Sequence, residues 1–290
     1  MALPSHPIID LHTHSSVSDG TDTPVELIAK AARQGLSVVS LTDHDTFSGL
    51  APARRQADTL GLHLIDGIEL TARFNGASVH LLGYGCDPEN EPLAQMMAFN
   101  RNAKNDRAPK VLEKLAELGM PLTIEDVKDV AADDSALQRP HIADAMVARG
   151  YVASREEAFR KYLFDGRPAF VRSPAMKLEQ AIDLVHGAGG VAVIAHPWAR
   201  RSEVALPEKV LARLAGQHQL DGLEANHPDH PEHEKAALRG IAARLGLLVT
   251  GSSDYHGKGK VGHELGCEST TPETLDEILR RISLRRAAKS

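Results

Sequence analysis

The sequence predicts an α/β fold, a distorted (β/α)7 TIM-like barrel that carries a helical insertion. The first observation behind this prediction is that seven short apolar runs alternate with segments of helical periodicity, which favours a largely parallel sheet with right-handed crossovers. The second is that several of these runs end in histidine, aspartate or glutamate. Because a barrel collects its functional residues at the carboxyl ends of its strands, the two observations support each other.

The first part of the chain supplies four strands and two helices. Thr23-Pro24 predicts a helix start and Gly35 its end, since proline suits the first helical position and glycine the residue after the last. Asn75-Gly76 between two apolar runs predicts a hairpin, which is a local departure from the parallel order. The predicted strands cover residues 7–11, 37–41, 63–70 and 78–84, and the predicted helices cover 24–34 and 48–60.

The middle of the chain, residues 91–172, shows helical periodicity and little strand character. We interpret it as a helical insertion that lies over the active site. The alternative is a solvated helical subdomain without a role in substrate binding. The predicted helices cover residues 92–118, 123–132, 140–149 and 154–162. The basic residues that are concentrated in this stretch are Arg101, Lys104, Arg107, Lys110 and Arg139.

The alternation of strands and helices then resumes, so the predicted barrel comprises residues 1–90 and 173–290. Gly189-Gly190 marks the turn before the fifth strand. The predicted strands of this part cover residues 191–196, 222–227 and 247–250, and the predicted helices cover 178–188, 207–215, 231–245 and 271–282.

The composition is that of a protein with a sizeable core. Of the 290 residues, 42% are hydrophobic, and no run approaches the roughly 20 apolar residues of a membrane span. The net charge of −6 is unlike that of proteins that coat DNA. The first residues show no secretory-signal pattern, and Cys86 and Cys267 fit no zinc spacing. We therefore expect a cytoplasmic protein without disulfides, membrane attachment or an evident protein partner.

His12-Thr13-His14 follows the first apolar run directly and is the most informative stretch of the chain. Side chains two apart on a strand point to the same side, so His12 and His14 can reach one metal ion. Asp19 lies five residues farther along, in a polar loop. A lone His-x-His motif is equally compatible with a structural role, and it is the repetition of such residues elsewhere that favours a metal site.

Further segments bring metal-ligand residues to predicted strands or to their ends. Histidine and carboxylate without thiolate suit zinc, manganese or iron, and there are too many of these residues for one ion. For each of them the alternative is a helix cap, a turn or a buried hydrogen-bonding side chain, and His80 could instead face the core. The candidates in these segments are His44, Glu69, His80, His196, Asp254 and His256.

Five motifs, H-x-H-x(4)-D, T-D-H-D, G-I-E, A-H-P and S-S-D-Y-H, resemble in sequence and order those of the polymerase and histidinol phosphatase (PHP) family of metal-dependent phosphoesterases. The resemblance spans most of the chain except its middle, and it implies the distorted barrel of the PHP fold with a trinuclear site. It places His12, His14, Glu69 and Asp254 around one ion, Glu69, His80 and His196 around a second, and Asp19, His44 and His256 around a third.

The residue at position 19 bears on the identity of the metal. Members of the family often have histidine where this chain has Asp19. A carboxylate keeps a ligand at that position but makes the third site harder, which favours manganese over zinc. We therefore expect three Mn²⁺ ions, with Zn²⁺ or Fe²⁺ as alternatives.

Four residues of the predicted insertion are candidates for substrate binding. Arg139 and His141 resemble a short motif of family members that carry this insertion, in which the arginine would bind phosphate through two N–H groups. Lys104 and Arg107 lie about one helical turn apart and therefore share a helix face. The alternative for all four is an ordinary solvated helix surface.

Two further residues are candidates for a catalytic role. His227, at the end of the sixth predicted strand, could donate a proton to the leaving group. Asp43 could orient a ligand histidine, with capping of a turn as the alternative.

These residues and the resemblance together predict a metal-dependent phosphoesterase in which a metal-bound hydroxide attacks phosphorus in line. The insertion and its Arg-Pro-His segment look most like the branch of the family that acts on small nucleotides. The expected substrates are the 3′-phosphate of nucleoside 3′,5′-bisphosphates, cyclic phosphodiesters and the 5′ end of short single-stranded RNA. The alternatives are a histidinol-phosphate phosphatase, a metal-binding module without activity, and a C–N hydrolase of the amidohydrolase type.

Overall fold

A computed structural model describes residues 4–132, 135–199 and 205–289 of the chain. The strands are β1 (Ile8–Thr13), β2 (Leu36–Leu41), β3 (His63–Phe74), β4 (Ala77–Tyr84), β5 (Met176–Lys177), β6 (Val191–Ala195), β7 (Gly222–Asn226) and β8 (Leu248–Gly251). The helices are α1 (Pro24–Arg33), α2 (Leu50–Leu60), α3 (Glu91–Glu117), α4 (Ile124–Lys128), α5 (Arg139–Ala148), α6 (Arg155–Ala158), α7 (Leu178–Gly187), α8 (Glu208–His218), α9 (Glu232–Leu245) and α10 (Pro272–Ala287). Within the described residues, none of these helices is long and apolar enough to cross a bilayer.

The strands form one mixed sheet in which most neighbours are parallel. Its main path runs β1-β2-β3-β4-β6-β7-β8, and β5 pairs separately with β3. Strand β4 is antiparallel to both β3 and β6, because the tight turn at Asn75-Gly76 reverses the chain after β3. The seven predicted strands and the predicted hairpin are therefore present. Strand β5 was not predicted, since two residues are too few to show a periodicity.

The two ends of this path, β1 and β8, lie beside each other without a continuous ladder among the residues that the structure describes. A single parallel bridge links Thr13 to Tyr255. Thr270 connects the two strands as well, because its N–H donates to Ile9 O at 2.9 Å and its hydroxyl donates to Gly251 O at 2.9 Å. The structure thus shows an α/β fold with a mostly parallel sheet, and the closed seven-stranded barrel stays a prediction.

Most helices begin within two residues of their predicted starts, whereas α4 and α6 end at Lys128 and Ala158, four residues before their predicted ends. At the start of α1, the Thr23 hydroxyl accepts from Glu26 N and the Glu26 carboxylate accepts from Thr23 N, which forms a capping box. Helix α10 continues to Ala287, past the predicted end at residue 282. Its last turns are held by Arg285, which donates to the buried carboxylate of Asp221 at 2.9 Å. That contact spans distant parts of the chain, so no local pattern could have predicted it.

Helices α3 to α6 lie between β4 and β5 and contain an apolar cluster of their own, in which Leu115 of α3 packs with Met146 of α5. The first turns of α3 pack instead against the apolar cluster of the sheet, through Leu93. Helix α3 therefore joins the helical segment to the sheet. The division of the chain into a barrel and an insertion at residues 91–172 stays a prediction.

The β3–β4 hairpin presents its site residues differently from the other strands. Glu69 lies in the middle of β3 and His80 in the middle of β4, rather than at strand ends as the sequence pattern suggested. The reason is that β3 continues to Phe74, beyond its predicted end, because pairing with β4 extends it past the neighbouring strands. The hairpin therefore forms one wall of the site.

Candidate metal centre

The carboxylate of Glu69 lies at the centre of the candidate site and is buried. Each of its oxygens faces histidine nitrogens at distances between 2.9 and 3.4 Å. The nitrogens that face Oε2 are His12 Nε2 at 3.4 Å, His14 Nε2 at 3.2 Å and His44 Nδ1 at 3.1 Å, and those that face Oε1 are His80 Nδ1 at 2.9 Å and His196 Nε2 at 3.1 Å. This position suits a carboxylate that bridges two metal ions.

Asp19 forms the centre of a neighbouring group. Its carboxylate oxygens lie 3.4 Å from His256 Nε2, 3.7 Å from His44 Nε2 and 3.8 Å from His14 Nδ1. One ligand atom from each of these four residues lies within 4.8 Å of the others. The grouping agrees with the predicted set of Asp19, His44 and His256, and it also brings His14 to the same place.

Asp254 faces the remaining part of the cluster with one oxygen. Its Oδ1 lies 3.4 Å from each of three histidine nitrogens, on His12, His14 and His256. Its Oδ2 points away from them and lies 2.6 Å from Lys260 Nζ. One oxygen of this carboxylate is therefore directed at the cluster, and the other is paired with Lys260 on the side away from it.

All nine predicted ligand residues thus converge, and the donor atoms fit divalent metal ions. The buried ring atoms His44 Nδ1 and His80 Nδ1 lie 3.1 and 2.9 Å from the Glu69 carboxylate but form no hydrogen bond among the described residues. An unsatisfied buried polar atom costs about 1–3 kcal/mol, and a metal ion between each nitrogen and the carboxylate would satisfy it. His12 Nε2 and His14 Nε2 lie only 3.0 Å apart, as two ligands of one ion would. The residues present therefore suit several metal ions.

The pKa values of the cluster point the same way. Burial would raise the pKa of Glu69, but the neighbouring histidines hold it well below its usual range. Burial opposes charge on His14, yet hydrogen bonds with Asp254 and Glu69 raise its pKa to about 10. Burial lowers the pKa of His44 to about 3, so this ring is neutral and offers a lone pair. An ionised carboxylate and a neutral imidazole are the forms in which these groups bind metal ions.

Glu224 on β7 supports two of the ligands and was not predicted. Its carboxylate is fully buried, with Oε1 3.0 Å from His12 Nδ1 and Oε2 accepting from the backbone N–H of His196 at 2.9 Å. A carboxylate in this position fixes which ring nitrogen of His12 carries the proton and leaves Nε2 for a metal. In the sequence, Glu224 lies inside a short apolar strand, and nothing local distinguishes it from an ordinary strand residue.

The backbone is strained at two ligand positions. His196 has a φ of 29° and Asp254 a φ of 52°, in a region that side-chain-bearing residues seldom occupy. Such conformations persist where the surrounding structure imposes them, and they are concentrated at functional sites. Here they direct the two side chains into the cluster at the ends of β6 and β8.

Asp43 holds the loop that follows β1. One of its oxygens accepts from Ser15 N at 2.8 Å and from Ser18 Oγ at 2.7 Å, and the other accepts from Ser15 Oγ at 2.7 Å. Ser18 Oγ lies 3.5 Å from His14 Nδ1. Asp43 therefore reaches a ligand histidine through Ser18, without lining the cavity itself.

His227 lies behind Asp254 instead of at the cavity surface. It is fully buried, its Nδ1 accepts from Asp229 N at 3.1 Å, and its Nε2 lies 3.2 Å from Asp254 Oδ2. Since Nδ1 is an acceptor, Nε2 carries the proton and donates to Asp254. This geometry gives His227 a role in orienting Asp254, and it differs from the exposed proton donor that the sequence suggested.

A cavity of about 1140 Å³ opens next to the cluster, between the β3–β4 hairpin and the helical segment. Three of the four predicted substrate-binding residues line it: Lys104, Arg107 and Arg139. Lys104 is nevertheless engaged, because its Nζ lies 2.7 Å from Asp45 Oδ2. Arg139 packs against the rings of Phe159 and Phe170, with its guanidinium carbon 5.9 and 5.6 Å from their centres.

His141 is the predicted substrate-binding residue that does not line this cavity. It is buried near the start of α5, where its Nδ1 accepts from Gln138 N at 3.3 Å and the ring hydrogen-bonds with the backbone of Ser18. Burial lowers the pKa of His141, which keeps it neutral. The ring is thus used in capping its own helix and in holding the loop beside the metal centre.

Several basic residues line the cavity that sequence reasoning missed. They are far apart in sequence, in a strand, a short helix and loops, so no spacing pattern marked them. Arg155 also donates to the backbone oxygen of Asp19 at 3.1 Å and pairs with Asp144, which ties α6 to the metal centre. The missed basic residues are Arg73, Arg155, Arg160 and Arg167.

Comparison with protein families and curated proteins gives consistent results. The family model of the PHP domain matches residues 10–124. The 3′,5′-nucleoside bisphosphate phosphatase of Chromobacterium violaceum is 33% identical over 279 residues, which cover 96% of this chain and 97% of that protein. The 5′-3′ exoribonuclease Rnm of Escherichia coli is 31% identical over 251 residues, covering 86% of this chain and 85% of that protein. The phosphoribosyl 1,2-cyclic phosphate 1,2-diphosphodiesterase of Eggerthella lenta is 32% identical over 260 residues, covering 88% and 97%.

Two solved structures share the fold along nearly the whole chain. A protein of Bifidobacterium adolescentis, provisionally described as a metal-dependent phosphoesterase, is 37% identical, with a TM-score of 0.91 and coverage of 97% of this chain and 98% of that one. A Chromobacterium violaceum protein described as an amidohydrolase, with bound sulfate and no metal, is 31% identical, with a TM-score of 0.85 and coverage of 96% of both chains. Given a curated relative of 33% identity over almost its full length, the chain belongs to the PHP family of metal-dependent phosphoesterases.

Proposed function

We propose that this protein hydrolyses small nucleotide phosphoesters, above all the 3′-phosphate of nucleoside 3′,5′-bisphosphates. Cyclic phosphodiesters and the 5′ ends of short RNA are further candidate substrates. The observation that carries the proposal is the junction of nine histidine and carboxylate residues, all buried except the partly buried His80 and His196, with a cavity that has a basic wall. The cluster of histidines and carboxylates suits metal-assisted attack on phosphorus. The basic wall of the cavity suits a substrate that carries additional negative charge.

The names of the relatives support this choice of substrates. One acts on nucleoside 3′,5′-bisphosphates, one on RNA and one on a cyclic phosphate, according to those names. All three names refer to phosphate esters of a nucleoside, of RNA or of a phosphoribosyl group. The same comparisons favour a nucleotide over histidinol phosphate.

Three divalent ions, with Mn²⁺ preferred, are the proposed cofactors. His12, His14, Glu69 and Asp254 would hold one, Glu69, His80 and His196 a second, and Asp19, His44 and His256 a third, as the contacts described above allow. Such ions supply a nucleophilic hydroxide near neutral pH and neutralise charge on the phosphate oxygens.

The other residues of the site have supporting roles in this proposal. Glu224 and His227 orient ligands, Asp43 holds the loop that follows His14, and Arg139 binds the part of the substrate that is not cleaved. Burial of the cluster strengthens the interaction of every charge in it with an anionic substrate.

Three finer features remain part of the proposal. These are the closed seven-stranded barrel, the helical segment 91–172 as an insertion over the active site, and a cytoplasmic location. The insertion is supported by the cavity, which has walls from both the hairpin and the helical segment.

Two rival functions can be tested against the same site. A C–N hydrolase is suggested by the description of one structural neighbour as an amidohydrolase, although the sulfate bound there is a tetrahedral anion like phosphate. A metal-binding module without activity would not need the nine ligand residues together with a large adjoining cavity.

A panel of phosphate-release and product assays tests the proposal. Adenosine 3′,5′-bisphosphate, a cyclic phosphodiester, short 5′-phosphorylated RNA and histidinol phosphate would each be incubated with the protein and Mn²⁺, Zn²⁺ or Mg²⁺. We expect hydrolysis of the bisphosphate to dominate over histidinol phosphate. Hydrolysis of none of the four substrates with any metal would refute the proposed function.

A further inference from the structure

The cavity beside the metal centre extends along two elements that lead away from it. On β3, alternate residues from Glu69 through Thr71 to Arg73 line the cavity. On α3, a face from Asn100 to Arg107 lines it from the other side. Four strand residues span about 13 Å, and seven helix residues span about 10 Å. Arg73 thus lies roughly 13 Å along β3 from Glu69, and Arg107 lies roughly 10 Å along α3 from Asn100, and both line the same cavity.

The positive charge at the inner part of this path is already neutralised. Lys104 pairs with Asp45 at 2.7 Å, and Asp45 also accepts from Asn100 at 2.7 Å. All of these side chains are buried, so the pair is strongly held. The inner cation is consequently occupied by the protein itself and is poorly placed to bind a second phosphate.

The outer end carries cations that the protein does not neutralise. Within the described part of the chain, Arg107 has no hydrogen bond or ion pair, and its Nε is buried. Arg73 donates only to backbone oxygens, of Ser173 and Gly76, at 2.9 Å each. Arg172 reaches a carboxylate, that of Asp165, only at 4.0 Å and at an exposed position, where such a pair contributes little. We call Arg73, Arg107 and Arg172 the outer arginine cluster.

The members of this cluster repel one another. Burial and the charge of Arg73 together lower the pKa of Arg107 to about 10. The pKa of Arg73 is lowered by burial and by the charge of Arg172. Three like charges with one exposed carboxylate near them, that of Asp165, cost free energy that a bound anion would offset.

A second groove, of about 240 Å³, continues from this point on the outer side of α3. It shares Arg107, Val171, Ser173 and Pro174 with the main cavity, so the two spaces adjoin. Its walls include Lys110 and the ring of Phe99, which is 47% exposed. It also includes one carboxylate, that of Asp106. A basic groove with an exposed aromatic ring is the arrangement with which proteins bind single-stranded nucleic acid.

We propose that the outer arginine cluster binds a phosphodiester of an oligonucleotide whose first internucleotide phosphate lies at the metal centre, and that the following nucleotides lie along the groove beside Phe99. This inference rests on the proposed function and extends it from single nucleotides to single-stranded oligonucleotides. The separation of roughly 10–13 Å along β3 and α3 exceeds the spacing of the two phosphates of one nucleotide. Hydrolysis adds water across the P–O3′ bond, which releases a nucleoside monophosphate and leaves the phosphate on the shortened chain.

Chain-length dependence tests the inference. We would measure kcat/KM for adenosine 3′,5′-bisphosphate and for 5′-phosphorylated di-, tri- and pentaadenylate, in the wild type and in Arg107→Gln, Arg172→Gln and Phe99→Ala. The matched control is Arg55→Gln, which removes an exposed charge on α2 away from both cavities. Because the Arg172 side chain is 60% exposed, its replacement does not endanger folding.

Consecutive phosphates of an oligonucleotide have the same spacing as the two phosphates of a bisphosphate, so the cluster would bind the phosphate two nucleotides beyond the one at the metal centre, which pentaadenylate has and triadenylate lacks. We expect wild-type kcat/KM to rise about ten-fold from the bisphosphate to pentaadenylate, and either arginine variant to lower that ratio by about the same factor. The salt dependence of kcat/KM for pentaadenylate should also become weaker in these variants, because one phosphate contact is lost. Equal values for all chain lengths, or a ratio unchanged in both arginine variants, would overturn the inference while leaving the phosphatase proposal intact. If the cluster held the second phosphate of a single nucleotide, both substrates would lose equally and the ratio would stay constant. Hydrolysis of neither substrate would overturn the proposed function as well.

Discussion

Replacement of Glu224 by glutamine should weaken metal binding although Glu224 is not itself a proposed ligand. The carboxylate accepts two hydrogen bonds at once, from His12 Nδ1 at 3.0 Å and from His196 N at 2.9 Å. Glutamine has the same shape but only one accepting oxygen. The Glu224→Gln variant therefore keeps the packing and loses one of the two acceptors.

Neither orientation of the new amide satisfies both neighbours. If the amide NH2 faces the His196 N–H, two donors oppose each other in a fully buried place. If the NH2 faces His12 Nδ1 instead, that nitrogen must become the acceptor, and the proton moves to Nε2, where a metal ion would bind. Loss of such a supporting partner typically lowers metal affinity 10- to 100-fold, which is about 1.4–2.8 kcal/mol.

Metal occupancy and activity measure this effect separately. Wild type, Glu224→Gln and the exposed control Glu113→Gln would be dialysed against graded Mn²⁺, and bound metal would be determined by elemental analysis. We expect the Glu224→Gln curve to shift to 10- to 100-fold higher Mn²⁺, with kcat/KM partly restored at saturating metal. Occupancy and kcat/KM within two-fold of wild type throughout would show that Glu224 does not orient His12 for a metal.

Four further predictions follow from the same structure. Elemental analysis of protein purified with Mn²⁺ should find more than one and up to three ions per chain. The His14→Ala variant should bind fewer ions, and its turnover should be lower by several orders of magnitude. A single ion in the wild type, or an active His14→Ala variant, would contradict the trinuclear site. Arg139→Ala should raise KM for a nucleotide substrate roughly ten- to a hundred-fold without changing metal content, because one charge-assisted contact is lost; an unchanged KM would limit Arg139 to packing against its phenylalanines. The kcat/KM for adenosine 3′,5′-bisphosphate should exceed that for histidinol phosphate at least about ten-fold at equal Mn²⁺, and equal values would favour the histidinol-phosphate alternative. Burial opposes charge on Asp221, but His186 and Arg285 hold its pKa well below the usual range, so its contribution to stability is fully present above the unfolded pKa of about 4 and is lost progressively as pH falls through the folded-state pKa. Asp221→Asn should therefore lower Tm on the order of 5 °C at pH 7 and by progressively less as pH falls from about 4 towards about 2, whereas a loss that does not change with pH would exclude the ionic contribution.

The fold was predictable to the extent that its signals are local. Alternation of apolar runs with amphipathic segments located all seven main strands, and the turn at Asn75-Gly76 located the hairpin. What could not be predicted depends on contacts between distant residues. The two-residue β5 exists because Met176 and Lys177 pair with β3, and α10 continues because Asp221 on the far side of the sequence anchors it. Neither the pairing of β5 with β3 nor the contact of Asp221 with α10 produces a periodic pattern in the sequence of the segment concerned.

The same distinction between local signals and contacts of distant residues applies to the candidate site. Metal ligands are chemically distinctive and follow apolar runs, so His12, His14 and the others could be named from the sequence, and the structure brings them together. Residues that act through a ligand lack such a mark. In the sequence, Glu224 resembles any other strand residue, although it hydrogen-bonds with the ligand His12. His227 was predicted to be a proton donor to the leaving group. Only the structure shows that it lies behind Asp254 and hydrogen-bonds with that carboxylate.

The distribution of charge on the helical segment shows why residue type alone could not define substrate contacts. Lys104 and Arg107 lie on one face of α3 and looked equivalent in the sequence, yet Asp45 neutralises the first and leaves the second without a carboxylate. Asp45 lies in the loop after β2 and has a φ of 54°, so its side chain reaches α3 only through a backbone conformation that aspartate tolerates better than most residues. A single loop residue, fixed by its hydrogen bonds to Thr71 and Asn100, thus decides that the available positive charge on this face of α3 lies at its outer end. The length of the preferred substrate should follow from that position more than from the number of basic residues in the segment.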